Sequence, residues 1–285
     1  IIKQTIKIFL LYSTLTIIIF FILNIIGLRS YNSLNLALTI ISSGGFLPVN
    51  DLSNIIRDNY QIIIVSILML LSFFSLFFIY NLFFSKKNNL NFFYEDLHLV
   101  IYLITVISIF FLFFSFNYNF SYNLLAIASS ISNIGFSLNT QQSNLNFVYL
   151  ILVIIGGSFF STSSGLRFIK IYSLLKFSLN QILSFSKPKN VFMNKLFFSK
   201  VNFDTTDINK YFLTVLIFVI SLFILSMLLS LSSIEFEDSF KLAVLTLMNT
   251  VNSHAYGISE FDFQNLPFFT KYILIFFMII GRVEL

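Results

Sequence analysis

Ser42-Ser43-Gly44-Gly45-Phe46 closes a short polar stretch at 32–41 that separates two long apolar runs, at 6–28 and 60–84. As a helix, that stretch rises only about 15 Å, half of a hydrocarbon core about 30 Å thick. A chain that enters a bilayer this way must turn back, and non-helical backbone at that depth survives only where it is buried in protein or lines a cavity. The arrangement recurs twice. Ser132-Asn133-Ile134-Gly135-Phe136 follows the stretch 121–131, between apolar runs at 97–114 and 147–176. Asn252-Ser253-His254-Ala255-Tyr256-Gly257 follows 239–249, between runs at 211–231 and 268–285. Long run, half-length stretch, loop and long run repeat in one orientation, which is an internal repeat. The expected fold is an all-α polytopic membrane protein of repeated helix, re-entrant helix and loop, helix units, at 1–86, 87–200 and 201–285.

Composition points the same way. Hydrophobic residues make up 57% of the chain and charged residues 10%, against roughly 45–50% and about 25% in soluble domains. The lipid bilayer removes the need for a charged surface. No cysteine is present, which excludes disulfides and thiolate metal sites. The first apolar run is too long for a signal peptide and lacks a small-residue cleavage site. The chain starts at Ile1 and stops within an apolar run, so both ends read as cut.

Charge placement sets the orientation. With each unit starting and ending in the cytoplasm, that side receives Lys3, Lys7, Lys86, Lys87, Arg167, Lys170, Lys176, Lys187, Lys189, Lys195, Lys200 and Lys210. The outer side receives only Arg29, Arg57, Lys241 and Lys271, as the positive-inside rule requires. Glu235, Glu237 and Asp238 lean outward, where acidic residues attract cations.

Each loop joins small polar residues to a small residue and then an aromatic. Backbone carbonyls turned inward replace the hydration shell of a cation, and glycine reaches the dihedrals that such a backbone needs. The cation filter is expected at Ser43, Gly44, Gly45 and Phe46; at Asn133, Ile134, Gly135 and Phe136; and at Ser253, His254, Ala255 and Tyr256, with the aromatics bracing the loops from behind. The run 147–176 is too long for one simple crossing. Gly156-Gly157 and Ser161-Thr162-Ser163-Ser164-Gly165 supply a break near its middle. Arg282 is a charge inside an apolar span, where such residues face a cavity or a partner. His98 and His254 have no second ligand at metal spacing, and no nucleophile elbow or phosphate loop is present, so no enzyme class is indicated.

These motifs resemble the bacterial K⁺ transporters of the TrkH/KtrB superfamily, whose fold repeats a unit of helix, pore helix and helix (M1–P–M2) four times around a central pore. The residues that carry the likeness are 42–46, Ser132-Asn133-Ile134-Gly135-Phe136-Ser137, the glycine-rich stretch 156–170 and Gly281-Arg282-Val283-Glu284. The likeness covers repeats two to four. Ala255 stands where the family has glycine, and Phe160 and Ser163-Ser164 stand where it has glycine and small residues. The resemblance implies K⁺ (or Na⁺) as the transported ion, and an intramembrane gating loop at Gly156, Gly157, Ser161, Thr162 and Gly165. It implies that Arg282 projects into the pore. It further implies no covalent cofactor, a homodimer in the bacterial inner membrane, and a cytosolic nucleotide-binding ring against the basic stretch 176–200. No nucleic acid partner is indicated. The alternatives are a secondary transporter of another solute, which predicts inverted rather than same-direction repeats, and a non-conducting truncated remnant.

Overall fold

Apolar runs broken by half-length polar stretches fold here as alternating long and short helices. The computed structural model describes residues 2–49, 52–76, 78, 94–114, 120–138, 145–185, 205–232, 234–258, 263 and 266–282. The helices are α1 (Ile2–Ile25), α2 (Ser30–Ser42), α3 (Asn59–Leu71), α4 (Tyr94–Phe114), α5 (Phe120–Ile131), α6 (Asn146–Ile154), α7 (Phe168–Ser184), α8 (Thr205–Ser230), α9 (Phe236–Leu247) and α10 (Phe268–Arg282). Between α6 and α7 lie two short strands, β1 (Ile155–Gly156) and β2 (Leu166–Arg167). The expected unit boundaries at 86–87 and 200–201 lie outside the described residues.

The first helix of each unit is the intact one. Ile8–Ile25 in α1, Glu95–Phe113 in α4 and Thr206–Ser230 in α8 are long and apolar enough to cross a membrane. Phe9, Ile17 and Phe21 of α1, Ile104 and Phe111 of α4, and Phe212, Ile220 and Phe223 of α8 are exposed. In water such faces would be a liability; in hydrocarbon they are the solvated surface.

The half-length helices α2, α5 and α9 have 13, 12 and 12 residues. Small residues bring them close to their neighbours: Ser33 and Ala37 of α2, Ala126, Ala128, Ser129 and Ser130 of α5, and Ser239 and Ala243 of α9 are all buried. Ser33 Oγ donates to Arg29 O at 3.2 Å, Ser239 Oγ to Ile234 O at 3.3 Å, and Ser130 Oγ lies 3.3 Å from the Tyr256 hydroxyl. Helix α2 packs on α1, α5 packs against α3 and α6, and α9 packs against α8 and α10. The second half-helix is almost wholly buried and so sits at the centre.

The closing helices are the irregular ones. In the run 147–176 the break falls where the glycines and serines place it, and parallel pairing of Ile155 with Leu166 and Gly156 with Arg167 ties its two ends together. The run 60–84 departs from expectation. Helix α3 stops at Leu71 and the chain turns through Ser72, Phe73, Phe74 and Ser75, without glycine or proline. The cause is tertiary and lies in the site below.

Candidate functional site

All three half-length helices end in the same turn. Ser43, Asn133 and Asn249 take left-handed backbone, at φ 51°, 58° and 50°. The following amide then reaches five residues back: Gly44 donates to Thr39 O (3.0 Å), Ile134 to Ser129 O (3.1 Å) and Thr250 to Leu245 O (2.9 Å). This is a Schellman-type helix end, and its three copies align the loops residue by residue. Gly45 and Gly135 fall at equivalent positions, with φ 70° and 88°. The third loop puts Val251 there, without a left-handed backbone, and not Ala255.

The loop apices meet. A Cβ on Gly45 would overlap the Ile134 carbonyl oxygen and the Val251 side chain, and one on Gly135 would overlap the Val251 carbonyl oxygen. Ser43, Gly44 and Gly45 are thus brought together with Asn133, Ile134 and Gly135, and with Asn249, Thr250 and Val251. Phe136 is 3% exposed and backs its loop as expected, whereas Phe46 is 77% exposed and lines a cavity instead. Ser253 follows the apex. His254–Tyr256 form a 3-10 turn against α6. Ala255 and Tyr256 are buried there, with the Tyr256 hydroxyl 3.3 Å from Ser130 Oγ. The side chain of His254 lies outside the described residues. The register signal was Asn249 itself: asparagine tolerates the left-handed conformation that ends a helix.

The two left-handed asparagines also tie loop to helix. Asn133 Nδ2 donates to Val153 O (2.8 Å) and to Thr250 Oγ1 (3.2 Å). Asn249 Nδ2 donates to Met278 O (3.0 Å). Val153 and Met278 each lie three residues before a glycine, Gly156 and Gly281, that approaches neighbouring backbone too closely for a Cβ. Asn133→Ala is expected to lose about 2–4 kcal/mol, from the lost bonds and the left-handed penalty together. Asn133→Gly keeps the backbone and loses only the bonds, so its thermal unfolding in detergent should fall between that of Asn133→Ala and the parent.

Beside the loops, a cavity of about 880 Å³ is lined by Ser43, Gly44, Phe46, Asn249, Val251, Lys271 and Arg282, among others. Arg282, at the end of α10, donates to Ser164 Oγ (2.8 Å) and reaches Thr162 O (3.5 Å). The end of α10 therefore touches the loop 157–165 that interrupts the second closing run. Ser161, Thr162 and Gly165 lie within that loop, and Gly156 and Gly157 form its neck, where a Cβ on either would overlap backbone.

That loop is docked on the break after α3. Ser158 N donates to Phe73 O (3.1 Å), Thr162 N and Ser163 N donate to Ser72 O (3.2 and 3.3 Å), and Leu76 N donates to Phe160 O (3.2 Å). These contacts use the carbonyls that an uninterrupted α3 would have spent on itself, which is why the helix stops without a breaker residue. Arg167 was expected on the cytoplasmic side as a topology charge. It folds onto the loop instead, donating from Nη1 to Ser158 O (2.9 Å) and Ser161 Oγ (3.1 Å).

No family model matches the chain. No curated protein sequence matches it. Among solved structures, the crystal structure of the potassium transporter TrkH from Vibrio parahaemolyticus matches with a TM-score of 0.86 at 18% sequence identity, covering 99% of this chain. This is the TrkH fold. The chain spans 62% of the TrkH chain. The likeness extends over all the elements described above, so the half-length helices, their loops and the broken closing helix belong to one known architecture.

Proposed function

We propose that this chain forms the pore of a K⁺ uptake subunit, in which monovalent cations pass the meeting point of the three loops and an intramembrane gate at 157–165. The carrying observation is the convergence of three identical helix ends on one point. The C-terminal end of a helix carries the negative pole of its dipole, so α2, α5 and α9 together make their meeting point favourable to a cation. The donor chemistry fits. Ser43 Oγ, Asn133 Oδ1, Asn252 Oδ1 and Ser253 Oγ are buried acceptors without a hydrogen-bond partner among the described residues, and oxygen is the donor atom that a stripped alkali cation requires.

The same reading takes 1–86, 87–200 and 201–285 as M1–P–M2 units, in keeping with the threefold order of long helix, half-length helix and closing helix, and puts the chain in the bacterial inner membrane. A homodimer with a cytosolic nucleotide-binding ring belongs to the same reading; most of the basic stretch proposed to meet that ring, 186–200, lies outside the described residues. Arg282 has two roles in this reading. It holds the gating loop through Ser164 and Thr162, and its charge raises the barrier to cations in the cavity beside the filter. Arg282→Ala should therefore raise flux several-fold.

The test is ⁸⁶Rb⁺ uptake by the full-length protein in cells deficient in K⁺ uptake, with its cytosolic partner present. Saturable uptake that K⁺ competes away supports the reading. No uptake despite verified membrane expression refutes it.

A further inference from the structure

The cytoplasmic start of α4 carries two adjacent carboxylates that the transport reading leaves unused. Glu95 and Asp96 occupy its first turn, and Asp96 is 2% exposed. They face the two partners of the docked pair described above, one carboxylate to each. Asp96 Oδ1 accepts from Ser75 N (3.0 Å), on the chain that leaves α3. Glu95 Oε1 accepts from Phe159 N (3.1 Å), on the gating loop. Arg167, which grips the loop carbonyls from the other side, bears its charge towards Glu95.

We propose that Glu95 and Asp96 are positioning residues that clasp the gating loop to the break after α3, so that α4 sets the loop's docked position. The inference rests on the reading of 157–165 as a gate. Its structural core is independent of which ion passes. A backbone amide has one proton to give, and the two amides involved lie on segments more than eighty residues apart in sequence. Two side chains adjacent on one helix turn hold both. The bond to Asp96 is buried, so removing its acceptor leaves the Ser75 N–H unsatisfied, while the bond to Glu95 holds Phe159 N on the exposed side of the loop. Undocking would then separate the loop from Ser72 O and Phe73 O together, because the four backbone bonds between the segments form one patch.

The absence of cysteine supplies the probe. Ser72→Cys introduces one thiol at a residue that is 2% exposed under the docked loop, with a hydroxyl that bonds only within its own turn. The full-length protein, with any cysteine outside these 285 residues changed to serine, is purified in detergent and reacted with a maleimide. Asp96→Ala and Glu95→Ala are each expected to speed labelling of that thiol tenfold or more. Asp96→Asn and Glu95→Gln retain a carbonyl acceptor and should restore most of the protection. Circular dichroism and gel filtration identify any variant that unfolds, and for such a variant the amide substitution carries the comparison. Unchanged labelling in both folded alanine variants overturns the inference, as does equal labelling of the alanine and amide variants. ⁸⁶Rb⁺ flux is read separately. Faster labelling with no flux in any variant, the parent included, refutes the transport reading and leaves the clasp standing.

Discussion

Gly135→Ala is expected to abolish ⁸⁶Rb⁺ uptake while leaving the protein in the membrane. Two costs coincide at this residue. Its φ of 88° lies in left-handed space, where a Cβ costs about 1–2 kcal/mol. The added carbon would also overlap the Val251 carbonyl oxygen, which belongs to the apex of another loop. A backbone oxygen has no flexible end to move aside, so the loops must part and the oxygen ring opens. A shift of a few tenths of an ångström in such a ring is enough to lose a cation that it holds in place of water. The loss should exceed tenfold, read as initial uptake rate normalised to surface protein. Ala255→Gly makes the internal contrast. Ala255 is 1% exposed in a 3-10 turn away from the apices, so uptake and selectivity should stay within twofold of the parent. A large gain of selectivity in Ala255→Gly would return the filter register to 253–256.

Val251→Gly is expected to change selectivity more than any other single substitution. Gly45 and Gly135 turn left-handed at their loops' apices, and Val251, at the equivalent place, does not. The third loop therefore presents its backbone differently from the other two, and on the proposed reading the oxygen set around a passing ion is lopsided. Fewer well-aimed carbonyls weaken the preference for K⁺ over Na⁺. Glycine at 251 gives the third loop access to the same turn and removes the side chain that abuts Gly45. The ratio of K⁺ to Na⁺ competition against ⁸⁶Rb⁺ should rise severalfold. An unchanged ratio would show that the backbone of this loop does not govern selectivity.

Most of the architecture was legible in the sequence. Hydropathy located the three intact helices because a span long enough for lipid leaves no other reading, and half-length polar stretches located α2, α5 and α9. The glycine-serine cluster at 156–165 announced its own break. The interruption at Ser72–Ser75 was hidden, because its cause is four hydrogen bonds to a loop more than eighty residues later. An apolar run with three scattered serines carries no mark of that. In the third loop Ala255-Tyr256-Gly257 repeats the small-aromatic pattern of the other two, while the left-handed helix end falls earlier, at Asn249. What identifies the turn is the residue in left-handed conformation, and that residue was a single asparagine inside an apolar context. Glu95 and Asp96 read as acids at a helix start; which amides they would meet depended on packing.

The docking of residues 158–163 on Ser72 and Phe73 is made chiefly from main-chain donors and acceptors. A joint of that kind places few demands on the identity of the side chains around it. The surrounding positions can change one by one while the joint persists, so a fold likeness with a TM-score of 0.86 needs no more than 18% identity.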